Sequence, residues 1–294
     1  MKNIKAAVIQ ASPILFNKDE TLKKTEQYII ESVKNKAELL LFPEAYLGDY
    51  PRGLSFGTTI GNRSDEGKEL WFSYFNNAID VPGHETEQIA KWAKKYGVYI
   101  HIGVVERDNN TLYCTLLYFT PDGKLAGKHR KIKPTALERI IWGEGDQSTL
   151  NGISTKIGNI GGLICWENYM PQARMELYKQ NTEIYLAPTA DSRDSWQATM
   201  IHIANEGRCY VLGCNQFVTK NMYPPEYQKQ LENEPEIMSR GGSVIVSPTG
   251  SVLAGPLYNK EGILYADLSS KELIKSKFDF DVIGHYARPD IFER

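Results

Sequence analysis

Gly161-Gly162-Leu163-Ile164-Cys165-Trp166-Glu167-Asn168 joins an apolar run to a cysteine. Residues 160–164 read as a short buried strand, and residues 170–180, directly after, are helix-prone. A thiol at a strand-to-helix junction lies near backbone N–H groups that favour the thiolate. The same groups can hold negative charge that develops during attack on a substrate. Taken alone, such a window more often marks a buried cysteine acting as a small hydrophobe. The segments around it decide between the two.

Upstream, residues 37–42 (AELLLF) form a second buried strand that ends at Pro43-Glu44, followed by an aromatic loop over 46–57. Strands over 98–106, 112–120 and 125–130 follow a helix over 85–96, and the last of them delivers Lys131 in KHRKIKPT. Downstream come a strand over 184–188, a helix over 195–206 and a strand over 209–215. Near the N-terminus, a strand over 5–11 precedes a helix over 19–35. Strands over 242–247, 251–256 and 262–267 and a helix over 270–277 close the chain. A polar, aromatic stretch over 62–79 gives no regular pattern, and a Pro- and Glu-rich excursion over 219–239 reads as a surface arm or lid. Helices alternating with strands early, and consecutive strands later, predict an α/β fold of mixed sheets faced by helices. No linker or composition break interrupts residues 1–294, so one domain is expected. Strand ends in such folds are where sites assemble from distant residues.

Composition narrows the function. The 294 residues are 41% hydrophobic and 24% charged, ordinary for a globular protein. A net charge of −2 gives no reason to expect a nucleic-acid or membrane partner. Cys114, Cys165, Cys209 and Cys214 show no CxxC spacing, and the histidines show no HExxH, so no metal is expected. Gly143 and Gly145 lack the context of a nucleotide loop. No signal-type h-region or 18-residue apolar window is present, and a reducing cytoplasm with free thiols is the expected home.

FPEAYLGDYPRG, HRKIKPTALERIIWGEGD, GGLICWEN, PTADSRDSWQATMIHIANEGRCYV and GHYARPDIF, in that order, resemble the nitrilase family of carbon–nitrogen hydrolases. The resemblance implies a four-layer αββα sandwich and a Glu-Lys-Cys triad. Glu44 matches the general base, Lys131 the catalytic lysine, Cys165 the nucleophile and Glu138 a second glutamate of the site. Cys-Trp-Glu-Asn is similar to true nitrilases, whereas amidases and carbamoylases more often carry another aromatic and an aspartate there. Segments around 57–79 and 219–240 look like nitrilase-type insertions. The short run after GHYARPDIF makes a homodimer, with the 170–180 helix as its face, a better expectation than a long spiral.

The chemistry fits these residue types. A nitrile carbon is a weak electrophile and needs a soft nucleophile, which a thiolate supplies. Glu44 can take the thiol proton if burial raises its pKa, and Lys131 can stabilise charge on the nitrile nitrogen. Tyr50, Trp142, Trp166 and Trp196 are candidate pocket walls, or core packing. Thr135 and Asn168 orient substrate or satisfy backbone groups. The expected reaction converts an organic nitrile and water to an acid and ammonia without a cofactor; the alternative is an amidase or N-carbamoyl hydrolase with the same triad.

Overall fold

In a computed structural model of the chain, which describes residues 1–292, the strands pair into two stacked seven-stranded sheets. The last two residues of the expected 1–294 span lie outside the described residues. Each sheet is built round a parallel trio: Ile4–Gln10, Leu39–Leu41 and Tyr99–Asp108 in one, Gly158–Gly162, Ile184–Pro188 and Tyr210–Cys214 in the other. Antiparallel partners flank the trios, among them Thr111–Thr120 and Lys124–Arg130 in the first sheet and Ile237–Val246 in the second.

Period-two alternation decides the layering. Along Tyr99–Asp108, Ile100, Ile102 and Val104 pack under Ile29 and Trp92 of helices Lys18–Lys34 and His84–Tyr96. Tyr99 and Val105 instead join a core between the sheets, with Val8 and Leu116 of the first sheet and Ile160, Leu186 and Leu212 of the second. The outer face of the second sheet buries Leu177 of helix Pro171–Lys179 and Met200 and Ile203 of helix Asp194–Gly207. Strands sealed on both faces read as the continuous apolar runs seen in the sequence. The result is the expected four-layer αββα sandwich of mixed sheets. Gly162 lets the sheets close: a Cβ there would sit 2.6 Å from the Leu186 carbonyl oxygen and 3.0 Å from Leu116 Cδ2.

Three local expectations change. The strand before Cys165 ends at Gly162, and a 3₁₀ turn, Cys165–Tyr169, separates it from the α-helix. Residues 62–79, expected to be irregular, contain helix Asp65–Asn77, capped by Ser64 Oγ accepting from Gly67 N at 3.0 Å. Its buried stripe of Leu70, Tyr74 and Asn77 mixes polar with apolar, and Phe72 is exposed, so the 3.6-residue period was masked. The excursion over 219–239 is docked rather than hinged: Tyr223, Leu231 and Met238 form a satellite core with Leu15 and Val218.

Asp49, in the loop after strand Leu39–Leu41, carries a testable consequence of burial. Its Oδ2 accepts from Phe16 N and from Asn77 Nδ2 at 2.8 Å, while Oδ1 has no partner. Burial pushes the carboxyl up to about 7. A folded pKa above the unfolded value means the native state holds the extra proton, so this contribution is present below the unfolded pKa and lost as pH rises through about 7. Asp49→Asn removes that loss and offers an N–H₂ where Oδ1 is unpaired. Urea unfolding at pH 5 and pH 8 is expected to show the variant gaining on wild type at the higher pH, by up to about 3 kcal/mol, for the span of about two pH units between 5 and the raised pKa. An equal difference at both pH values contradicts this reading.

Candidate active site

Lys131 is the hub. It follows strand Lys124–Arg130, and its backbone is pinned on both sides, N to Cys114 O at 2.8 Å and O to Gly145 N at 2.8 Å. Its side chain is fully buried, with Nζ 2.7 Å from Glu44 Oε1 and 2.7 Å from Glu138 Oε2. Glu44 arrives from the C-terminal end of strand Leu39–Leu41. The turn that carries it crosses Gly103, where a Cβ would come within 2.2 Å of Pro43 O and 2.7 Å of Glu44 Cα. Gln216 Nε2 secures the same turn by donating to Glu44 O at 2.8 Å. Glu138 sits on the 3₁₀ turn Ala136–Ile140, its Oε2 also accepting from Thr135 N at 2.7 Å and its Oε1 from the Tyr50 hydroxyl at 2.7 Å.

Cys165 comes from the opposite sheet. It is buried and adopts a left-handed φ of 54°, and Ala45 and Ala136, on the Glu44 and Glu138 turns, have φ of 45° and 46°. Non-glycine residues in this region cost about 1–3 kcal/mol each and persist where surrounding contacts over-determine them. Asn168 supplies such contacts: Nδ2 donates to Leu163 O at 2.9 Å and Cys165 O at 2.8 Å, and Oδ1 accepts from Tyr185 at 2.9 Å. The thiol faces the Glu44 carboxylate, close enough to influence its ionisation though outside ordinary hydrogen-bond geometry. Thr189, at the end of strand Ile184–Pro188, lies on its other side.

The electrostatics follow from this burial. Desolvation raises Glu44 above the ordinary carboxylate range, against the pull of Lys131. Desolvation works against the Lys131 ammonium, but the charges of Glu44, the neighbouring thiols and Glu138 hold it well above a free lysine. Burial, then the charge of Glu44, push Cys165 up to about 12. That corrects the expectation of a thiolate favoured by a helix N-terminus: the α-helix starts only at Pro171, and the resting thiol keeps its proton. The two oxygens of Glu44 are unequal. Oε1 is engaged by Lys131 and by the Cys114 thiol at 3.7 Å, whereas Oε2 has no hydrogen-bond partner. Cys114 was missed in the sequence, where one cysteine inside strand Thr111–Thr120 carries no signal until the Lys131 strand pairs beside it.

The pocket candidates separate. Tyr50 and Trp142 join the cluster: their rings meet edge to face at 5.8 Å, and Lys131 Nζ lies 5.5 Å from the Trp142 ring centroid. Trp142 Nε1 donates to Tyr74 at 3.1 Å. Thr135 lies beside the cluster and serves Glu138 through its backbone. Asn168 is a correction: with both ends of its amide spent on the Cys165 turn and Tyr185, it braces the nucleophile rather than the substrate. Trp196 is another: only 1% exposed, it packs with Leu163, Tyr185 and Met200 in the outer helix–sheet layer, away from the inter-sheet core that holds Cys165. Trp166 is 41% exposed, tied by Nε1 to Asp191 Oδ2 at 2.9 Å and covered by the Arg193 guanidinium. A cleft of about 650 Å³ adjoins the cluster through Tyr50 and Glu138, with Phe56, Ile60, Leu137 and Ile141 also in its lining, while Cys165, Lys131 and Glu44 lie outside that lining.

Comparison with known proteins places this geometry. Residues 5–278 match the carbon-nitrogen hydrolase family. A bifunctional nitrilase/nitrile hydratase of Nicotiana tabacum is 52% identical, covering 98% of this chain and 84% of its own. An aliphatic nitrilase of Sinorhizobium fredii (strain HH103) is 50% identical, covering 100% of this chain and 95% of its own. Among solved structures, a branch 10 member of the nitrilase superfamily from Saccharomyces cerevisiae superposes with a TM-score of 0.75 at 20% identity, covering 98% of this chain and 97% of its own. An amidase from Nesterenkonia sp. superposes at 0.68 with 16% identity, covering 95% of each chain. The chain belongs to the carbon-nitrogen hydrolase family and, within it, to the nitrilases.

Proposed function

We infer that this chain hydrolyses an organic nitrile to its carboxylic acid and ammonia through a covalent intermediate on Cys165. The observation that carries the reading is one buried ammonium, Lys131, bonded to two carboxylates beside a protonated thiol. Glu44 Oε2, the unpartnered oxygen, takes the Cys165 proton as sulfur bonds to the nitrile carbon. The nitrile nitrogen gains the displaced π pair and is protonated from Lys131, giving a thioimidate. Two of the three Lys131 N–H bonds go to Glu44 and Glu138, so the third is left for that nitrogen. The backbone N–H of Trp166 is a second donor for it.

Glu44 then passes the proton taken from Cys165 to Lys131 along their shared hydrogen bond, which restores both groups. It next deprotonates a water that adds to the thioimidate carbon while Lys131 protonates the nitrogen. The proton now on Glu44 goes to the departing nitrogen, and Lys131 recovers its own from the new hydroxyl. Breaking C–N releases ammonia and leaves a thioester; a second water cleaves C–S, releases the acid and restores the thiol. Breaking C–S first would release an amide instead. Glu138 anchors Lys131, Tyr50 anchors Glu138, and Trp142 shields the ammonium. These steps use only side chains and water. An amide-hydrolysing alternative draws less support, since relatives at half identity carry the nitrilase name and the amidase stands at 16%.

We extend the reading to one domain, a cytoplasmic location and a homodimer or larger homo-oligomer. No helix among the described residues is long and apolar enough to cross a membrane. The outer face of helix Pro171–Lys179 presents Gln172, Glu176 and Lys179, a polar surface for a partner copy.

Ammonia release from a panel of aliphatic, aromatic and arylaceto nitriles, run beside the matching amides, tests the reaction. Turnover of nitriles is expected, and turnover of amides alone would overturn the assignment. The pH profile tests the roles. Glu44 acts only when ionised and its pKa is raised, so kcat/KM is expected to fall as pH drops through a value above the ordinary glutamate value of about 4.3. Lys131→Gln removes a donor worth about 3 kcal/mol in the barrier, roughly a hundredfold or more. It also removes the charge that holds Glu44 down, so the surviving acid limb should move to higher pH. An unmoved limb would contradict the pairing.

A further inference from the structure

Two residues beyond the nucleophile, Glu167 is 1% exposed, and its carboxylate collects hydrogen bonds from both sheets. Oε2 accepts from the backbone N of Ile164 at 2.6 Å, the residue immediately before Cys165. Oε1 accepts from the backbone N of Ile132, the residue immediately after Lys131. His129 Nε2 completes the set at 2.9 Å from Oε2 and 3.2 Å from Oε1. One carboxylate therefore bonds the peptide adjoining the ammonium, at the end of a first-sheet strand, and the peptide adjoining the thiol, at the end of a second-sheet strand.

We propose that Glu167 is a positioning residue that sets the spacing between Lys131 and Cys165, with His129 as its counter-ion. The proposal rests on the nitrilase reading for the roles of the two residues it spaces. No described hydrogen bond joins the Cys165 side chain directly to Lys131, so their separation is carried by backbone. Without Glu167, the polar bridge between the two loops is lost, and small misplacement of reacting groups is costly in rate. The His129 ring supports the same arrangement. Its Nδ1 lies 3.2 Å from the Thr149 carbonyl oxygen and its Nε2 against the carboxylate, so both ends meet acceptors and only the doubly protonated ring donates to both. Burial works against that charge, yet the charge and hydrogen bond of Glu167 raise the ring above an ordinary histidine. The ring and the carboxylate face each other at 2.9 Å in a dry site, where a carboxylate accepts several N–H bonds and a neutral amide cannot.

Glu167→Gln keeps the volume but turns one acceptor oxygen into a donor facing a backbone N–H. Glu167→Asp keeps the charge but shortens the reach, so one loop is released. For each variant that folds, the expected result is a kcat at least a hundredfold below wild type with KM within about threefold. Alkylation of Cys165 by iodoacetamide, read as mass on the Cys165 peptide, should slow as well. Alkylation needs no nitrile, so it decides the spacing role even if the substrate reading fails, and absent nitrile turnover by wild type indicts only the latter. Should Glu167→Gln not fold, Glu167→Asp carries the test. His129→Gln, which leaves Glu167 in place and retains a donor to its carboxylate, should keep kcat and the alkylation rate within about tenfold of wild type. A folded Glu167 variant with wild-type kcat and alkylation rate, or a loss that follows only the folded fraction, would overturn the proposal.

Discussion

Everything at this site depends on one ammonium held in the dry space between two sheets. Moving Lys131 out of water is costly unless its partners are complete, and removing one partner of such a pair typically costs about 3–5 kcal/mol. Here Glu44 and Glu138 each lie 2.7 Å away and the Trp142 ring closes a further side. The arrangement forces two distant turns, one after strand Leu39–Leu41 and one over Ala136–Ile140, to converge on the end of a third segment. The left-handed residues on those turns show that convergence overrides local preference.

The thiol belongs to the other half of the sandwich. Cys165 meets Glu44 because the sheets stack closely, which Gly162 permits, and because Gly103 leaves room for the turn that carries Glu44. Stacking also explains the resting charge state. A thiol pushed up to about 12 is unreactive by itself, and a carboxylate raised by the same burial becomes a competent base for it. Reactivity thus belongs to the pair: a substrate that brings the nitrile carbon to sulfur makes the proton transfer worthwhile, and idle chemistry is suppressed.

Much of this was legible in the chain. Apolar runs that end on Glu44, Lys131 and Cys165 marked three strand tips, and the order of the motifs around them identified the sandwich. What stayed hidden shares a physical cause. Trp196 and Trp142 look alike in sequence, but which faces the inter-sheet core and which the helix layer is settled by packing. Asn168 stands open in sequence between substrate and backbone, and the structure decides for the backbone, since a buried amide's carbonyl partners show in no residue pattern. Cys114 and Glu167 gain meaning only when strands far apart in sequence lie side by side. The helix over Asp65–Asn77 is masked in sequence because its buried stripe mixes polar with apolar residues.

The central claim is that Cys165 bonds covalently to substrate carbon while Glu44 moves the protons. Intact-mass and peptide analysis of Glu44→Gln incubated with a turned-over nitrile tests it most directly. The account expects an adduct of the nitrile's mass, or of the corresponding acyl group, confined to the Cys165 peptide and lost in Cys165→Ala. No adduct under any condition, or one on Cys114 in its place, would contradict it.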